Sequence, residues 1–202
     1  MPSPPFATRQ AQHLPAIAAD DLGATVALTE FSEYRWRIGR SRCTRSGCSA
    51  LERVDQATVT SETIDTDPRI AGDTVVWTDL RVRRPDHDVR LRRGASPETS
   101  SLATTDGEGA PQLRPAVALS PGGRALVVWQ DARGSASSLR ACVVLSDGTT
   151  TTDVALLDDD ARRYAPEVAW LDEERALVAY ETTSTGERRV GVTTLEVASL
   201  VP

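Results

Sequence analysis

Three residue types recur at a spacing that could carry chemistry: an aromatic, a carboxylate and an arginine. Trp77, Asp79 and Arg81 stand at i, i+2 and i+4, and Trp129, Asp131 and Arg133 repeat the pattern. A spacing of two places all three on one face of a strand. The corresponding positions elsewhere are Leu28, Glu30 and Ser32, then Tyr180, Thr182 and Ser184, with Glu181 displaced by one. A ring of carboxylates from Glu30, Asp79, Asp131 and Glu181 would suit a cation or a sugar. Two of them within ~5–10 Å, one with a raised pKa, would suit glycoside cleavage. Two arguments weigh against chemistry. Side chains repeated in every unit serve the unit, so Trp77, Trp129 and Tyr180 are expected between repeats, with Arg81 and Arg133 pairing to the carboxylates. Near-symmetric repetition also gives carboxylates like environments, whereas an acid and a base need different ones.

Cys43 and Cys48 bracket Thr-Arg-Ser-Gly, a stretch short enough for a hairpin turn. If the flanking strands pair, the cysteines lie opposite and can bond in an oxidising compartment. A metal site there would need two further ligands, and neither His nor Cys is nearby in sequence. Cys142, in an apolar strand, reads as a small buried residue. His13 and His87 are the two histidines, and Pro85-Asp-His-Asp88 reads as a solvated loop. Asp158–Asp160, Asp65 and Asp67 lack the ligand spacing of a calcium loop and read as turns. No phosphate loop, nucleophile elbow or zinc signature is present, so neither cofactor nor metal is expected. Trp36 and Trp170 fall outside the repeated aromatic position. Trp36 alternates as a core residue would, and Trp170 is the aromatic best placed to contact a sugar or peptide.

These residues are positioned by a repeat. Pro-x-Ile/Val-Ala occurs at Pro15, Pro68, Pro115 and Pro166, with spacings of 53, 47 and 51 residues. Each anchor leads through a short turn into an apolar run: Thr25-Val-Ala-Leu28, Thr74-Val-Val-Trp77, Ala125-Leu-Val-Val-Trp129 and Ala176-Leu-Val-Ala-Tyr180. An alternating third segment follows in each unit, and a Thr-rich fourth in the first three, Ala57–Ser61, Ser101–Thr104 and Thr152–Leu156. Four short strands repeating every ~50 residues match a β-propeller blade. The expected fold is therefore all-β, a propeller of four-stranded blades in a single domain over residues 1–202. The repeats run about 14–66, 67–113, 114–164 and 165–202, and residues 5–12 complete the last blade and close the ring. A half-ring completed by a second copy is the competing arrangement, so the chain is expected as a monomer or homodimer.

Pro68-Arg-Ile-Ala-Gly-Asp-Thr-Val-Val-Trp-Thr-Asp-Leu-Arg81 and Val127-Val-Trp-Gln-Asp-Ala-Arg133 resemble the propeller repeats of bacterial and archaeal surface proteins, of broadly TolB-like type. Arg42-Cys-Thr-Arg-Ser-Gly-Cys48 is similar to the Cys-x4-Cys hairpin of secreted bacterial repeat proteins. The resemblance implies a propeller and an extracytoplasmic location. It leaves function open, because such repeats serve many roles.

Composition bounds the partners. The chain has 202 residues, a net charge of −6, and 23 basic residues that are all Arg. An acidic chain without a basic tract is not expected to bind nucleic acid. No apolar run approaches the ~18 residues of a membrane helix, so no membrane span is expected. The leading expectation is a non-catalytic interaction or scaffold module with a protein or glycan partner. The alternatives are a lectin-like sugar binder, and a glycoside hydrolase or lyase using Glu30, Asp79 and Asp131.

Overall fold

The computed structural model describes residues 12–32, 35–55, 63–81, 87–94, 100–102, 111–132, 137–157, 161–184 and 186–200. They form four antiparallel sheets, one per repeat. Sheet 1 holds β1 (Gln12–Asp20), β2 (Gly23–Ser32), β3 (Arg35–Thr44) and β4 (Gly47–Cys48), with β5 (Glu52–Arg53) also paired to β3. Sheet 2 is β6 (Thr63–Ala71), β7 (Thr74–Arg81), β8 (Asp88–Arg93) and β9 (Ser100–Ser101). Sheet 3 is β10 (Gln112–Leu119), β11 (Ala125–Asp131), β12 (Ser138–Val144) and β13 (Val154–Ala155). Sheet 4 is β14 (Arg162–Trp170), β15 (Arg175–Ser184) and β16 (Glu187–Glu196), followed by a 3-10 turn at Val197–Leu200.

Each Pro-x-Ile/Val-Ala anchor lies within a first strand and interrupts its ladder. Proline has no N–H to donate, so pairing cannot run through it. The preceding residue takes a left-handed conformation in all four sheets: Leu14 (φ 50°), Asp67 (φ 54°), Arg114 (φ 51°) and Ala165 (φ 46°). Pairing resumes one residue out of step beyond each, which makes a bulge. The turn after β6 is equally constrained. Gly72 has φ 57°, and a Cβ there would lie 2.4 Å from Leu119 Cδ1.

The core lies in the seams between consecutive sheets. Ala27, Ile38 and Val54 of sheet 1 meet Ile70, Val75 and Trp77 of sheet 2. Val76, Val89 and Leu91 of sheet 2 meet Val127, Trp129 and Cys142 of sheet 3. Leu126, Val128 and Leu139 of sheet 3 meet Ala176, Val178 and Val197. Strand alternation explains this, since successive residues of β7 and β11 serve opposite seams. Trp77 and Trp129 are buried, each against the preceding sheet, and Tyr180 packs into the third seam.

Arginines tie the seams to backbone carbonyls. Arg40 donates to Gly94 O at 2.9 Å, Arg92 to Arg53 O at 2.8 Å, and Arg93 to Leu145 O at 2.8 Å. Such charge-assisted bonds suit the guanidinium fork. Arg92, which makes one of these bonds, is itself buried.

The first strands β1, β6, β10 and β14 stand side by side in chain order. Among the described residues, sheets 4 and 1 make no contact of comparable extent, and β16 pairs on one side only, with β15. Of residues 5–12, expected to complete the last sheet, 5–11 lie outside the described residues, and Gln12 instead opens β1 and pairs with Glu30 in sheet 1. The expected fourth strand Ala57–Ser61 also lies outside the described residues, and the outer position of sheet 1 is taken by Glu52–Arg53 instead.

Candidate functional site

Antiparallel pairing brings the start of each first strand beside the end of each second strand, and one row of residues crosses every sheet at that level. The rows are Gln12–Glu30–Arg37, Asp65–Asp79–Asp88 and Gln112–Asp131–Ser138, then Arg163–Thr182–Arg189. The equivalence follows from the repeat: the first member always lies three residues before the anchor proline. Glu30, Asp65, Asp79, Gln112, Asp131 and Arg163 are all buried. Sheet 2 alone fills its row with three carboxylates.

Asp65 and Asp79 face each other directly across β6 and β7. Such neighbours hold their Cβ atoms ~4.5–5.5 Å apart. Trp77, two residues before Asp79, donates its indole Nε1 to Asp65 Oδ1 at 3.0 Å. Asp79 makes a salt bridge with Arg90 at 3.2 Å, and the same guanidinium reaches Asp88 at 3.3 Å. Asp55, just after β5 in sheet 1, completes the group. Its buried carboxyl acts on the titration of Asp65, and Arg37 lies 3.9 Å from it.

This environment separates the carboxyls electrostatically. Burial pushes Asp65 well above the usual carboxylate range, and Asp55 and the charge of Asp79 push the same way. The Trp77 hydrogen bond opposes them weakly. Burial also raises Asp55, against Asp65 and the charges of Arg37 and Arg53. These surroundings favour the protonated form of Asp65, beside an Asp79 salt-bridged to Arg90. The environments differ because the first-strand residue differs between units. Repetition does not make the carboxylates alike, as the sequence suggested it would.

The other expected residues are dispersed. Glu30 and Asp131 occupy the same row in sheets 1 and 3. Glu181 is exposed on β15, one residue out of register with that row. Trp170 forms no open shelf: its Nε1 donates to Ala118 O at 3.0 Å, and Arg124 lies 5.5 Å from its ring centroid, which places it in the seam of sheets 3 and 4. Asp79 pairs with Arg90 on the neighbouring strand; the Arg81 side chain and all of Arg133 lie outside the described residues. Trp36 is not a core residue. It packs against Phe31 at 5.1 Å between centroids, beside the Glu30–Arg37 pair, and Phe31 is 36% exposed.

Cys43 and Cys48 form a disulfide across the β3–β4 hairpin. Cys142 is buried; burial first, and then the charge of Asp153, push its thiol up to about 12. Among the described residues no group of three His, Cys, Asp or Glu side chains is arranged to hold a metal ion, and no helix is long and apolar enough to cross a membrane. Asp55 went unnoticed in the sequence, and Asp65 was read as a turn. Comparing the residues three before each anchor would have found Asp65, the one acid at that position.

No family model and no curated protein matches the chain. Solved structures do. The Hadza microbial sialidase Hz136 superposes with a TM-score of 0.63 at 15% identity, over 91% of this chain and 44% of its own. An α-L-arabinanase from Penicillium chrysogenum gives 0.56 at 12% identity, over 94% and 63%. TolB from Acinetobacter baumannii gives 0.54 at 11%, over 98% and 44%. The chain therefore spans about half the length of these proteins. Other neighbours are a neuraminidase-like protein, an endo-arabinase and α-L-arabinofuranosidases. That enzymes of this kind predominate among these neighbours overturns the expectation of a non-catalytic scaffold module. The fold shared with these structures is the β-propeller.

Proposed function

We propose that this chain is a glycan-processing propeller whose acid–base pair is Asp65 and Asp79. The observation that carries the reading is their direct opposition, with Asp65 protonated by its surroundings and Asp79 salt-bridged to Arg90. Glycoside cleavage needs such a pair: a carboxylic acid to protonate the leaving oxygen, and a carboxylate to act as base or nucleophile. This reading takes the retaining route, in which the second carboxylate acts as nucleophile. In this reading Asp65 is the acid, Asp79 the nucleophile, and Arg90 and Trp77 hold them in place. The names of the sialidase and arabinanase neighbours support a glycan as substrate.

The sheets are read as four blades of one domain, with residues 5–11 supplying the strand beside β16. The Cys43–Cys48 disulfide supports an oxidising, extracytoplasmic setting.

A second reading, glycan binding without cleavage, is favoured by the partly open Phe31–Trp36 pair at the same end of the fold. Both are tested with a panel of chromogenic aryl sialosides and arabinosides. The catalytic reading expects hydrolysis that falls on the order of 10²–10⁴-fold in Asp65→Asn and Asp79→Asn. Binding without turnover would select the second reading, and neither would sink both.

A further inference from the structure

Sheets 1, 2 and 3 each bury an apolar face against the sheet that follows, and sheet 4 leaves the matching face in solvent. Strand register makes the comparison position by position. Ile38, Val89, Leu139 and Val190 stand opposite Thr29, Thr78, Gln130 and Glu181, each one residue beyond Leu28, Trp77, Trp129 and Tyr180. Ile38, Val89 and Leu139 are fully buried, whereas Val190 is 75% exposed. Val192, two residues further along β16, is 58% exposed where its counterparts Leu91 and Ala141 are buried.

Sheet 1 shows the converse on its other side. Ile17, Ile70, Val117 and Val168 stand opposite Val26, Val75, Val127 and Val178 on the first strands. In each closed seam the two kinds of position share one apolar cluster: Ile38 with Ile70, Val89 with Val117, and Leu139 with Val168. Ile17 has no such company and is 68% exposed. The two uncovered faces are thus the two halves of one seam. Among the described residues, sheets 4 and 1 of the same chain do not meet to the extent that the other sheets do.

We propose that a second copy of this chain covers both faces, sheet 4 of each copy packing against sheet 1 of the other, so that two arcs close one ring. What fits the face of Val190 and Val192 in this fold is a face like that of Ile17, and the chain carries one at its other end. The contact is self-complementary, as two-fold symmetry requires: Val190 of either copy joins Ile17 of the other. Four sheets from each copy reach the upper end of the ~4–8 blades with which propellers close. The strand read as residues 5–11 beside β16 then comes from the partner copy. Nothing in this arrangement depends on the acid pair or on glycan cleavage, so the two readings fail separately.

Sedimentation equilibrium of the intact chain tests it, with twice the mass of one chain expected. A single-chain mass at every concentration would overturn the proposal, and so would a mass that keeps growing past two copies. Val190→Glu and Ile17→Lys alter exposed side chains, so each variant should keep its circular dichroism spectrum. Each places a charge against an apolar side chain in both seams, and its dimer should dissociate at least about tenfold more readily. Mixed in equal amounts, the two should restore the dimer: one seam then pairs the new carboxylate with the new ammonium, and the other is unaltered. Variants as dimeric as the wild type, or no recovery on mixing, would reject the head-to-tail seam. If either variant fails to fold, oxidation of a mixture of Ile17→Cys and Val190→Cys decides. A covalent dimer of one with the other supports the proposal, and its absence ends it.

Discussion

Trp77 and Asp65 are joined by one hydrogen bond, from indole Nε1 to Oδ1 at 3.0 Å, that ties the repeated aromatic to the one acid the repeat does not share. Trp129 occupies the same place in sheet 3, where the row begins with Gln112, and its buried Nε1 has no hydrogen-bond partner. One scaffold position thus serves packing alone in one unit, and packing together with orientation of a carboxyl in another.

The two tryptophans form a controlled pair for mutation. Trp77→Phe and Trp129→Phe remove similar volume from similar seams, so their packing losses largely cancel in comparison. Trp77→Phe also leaves a buried Asp65 oxygen unsatisfied, which costs about 1–3 kcal/mol. It should be the more destabilising by that amount, read as a lower urea midpoint at unchanged slope. Equal midpoints would mean that the bond contributes nothing.

Ala165 offers a gain. Its φ of 46° is a conformation that costs an L-residue about 1–2 kcal/mol, while glycine adopts it freely. Glycine loses about 0.5–1 kcal/mol through added unfolded-state freedom. Ala165→Gly is therefore expected to raise stability by about 0.5–1 kcal/mol in thermal melts. Ala125→Gly, on the buried second strand of sheet 3, should lower it. Destabilisation of both would contradict the bulge.

The hairpin disulfide closes a short loop, five positions from Cys43 to Cys48. Chain-entropy arithmetic for a loop of that size gives about 2 kcal/mol. Cys43→Ser/Cys48→Ser should lower the unfolding free energy by about that amount. Unreduced, denatured wild type should titrate one thiol, Cys142. Three free thiols in that material would show the pair to be reduced.

Much of the scaffold was legible because the repeat was. Period-two alternation and the proline anchors placed all four sheets, and Cys43 and Cys48 were placed opposite each other by the hairpin between them. What the residue pattern could not reveal was cross-strand and cross-seam company. Arg81 seemed the natural partner of Asp79 because it shares the strand, yet Arg90 on β8 takes that role. Leu14, Asp67, Arg114 and Ala165 share no side-chain type, so nothing announced their common left-handed backbone. Asp55 and Asp65 are ten residues apart and become a pair only when the chain passes from one sheet to the next. Symmetry made the scaffold readable and hid the departures from symmetry at Asp55 and Asp65.

Trp170 is where these two kinds of reading can be separated. As a sugar-contacting aromatic it would tolerate Trp170→Phe with little loss of stability and a change in glycan binding. In the seam, its Nε1 bonds Ala118 O, and its ring lies against Arg124, which also reaches Glu173 in sheet 4. Loss of the buried hydrogen bond and weakening of the cation–π contact should together cost about 1–2 kcal/mol. A double-mutant cycle with Arg124→Ala isolates the ring contact, for which a coupling of about 0.5–1 kcal/mol is expected. A vanishing coupling, with glycan binding altered and stability unchanged, would return Trp170 to the ligand surface and leave the third seam held by its apolar residues alone.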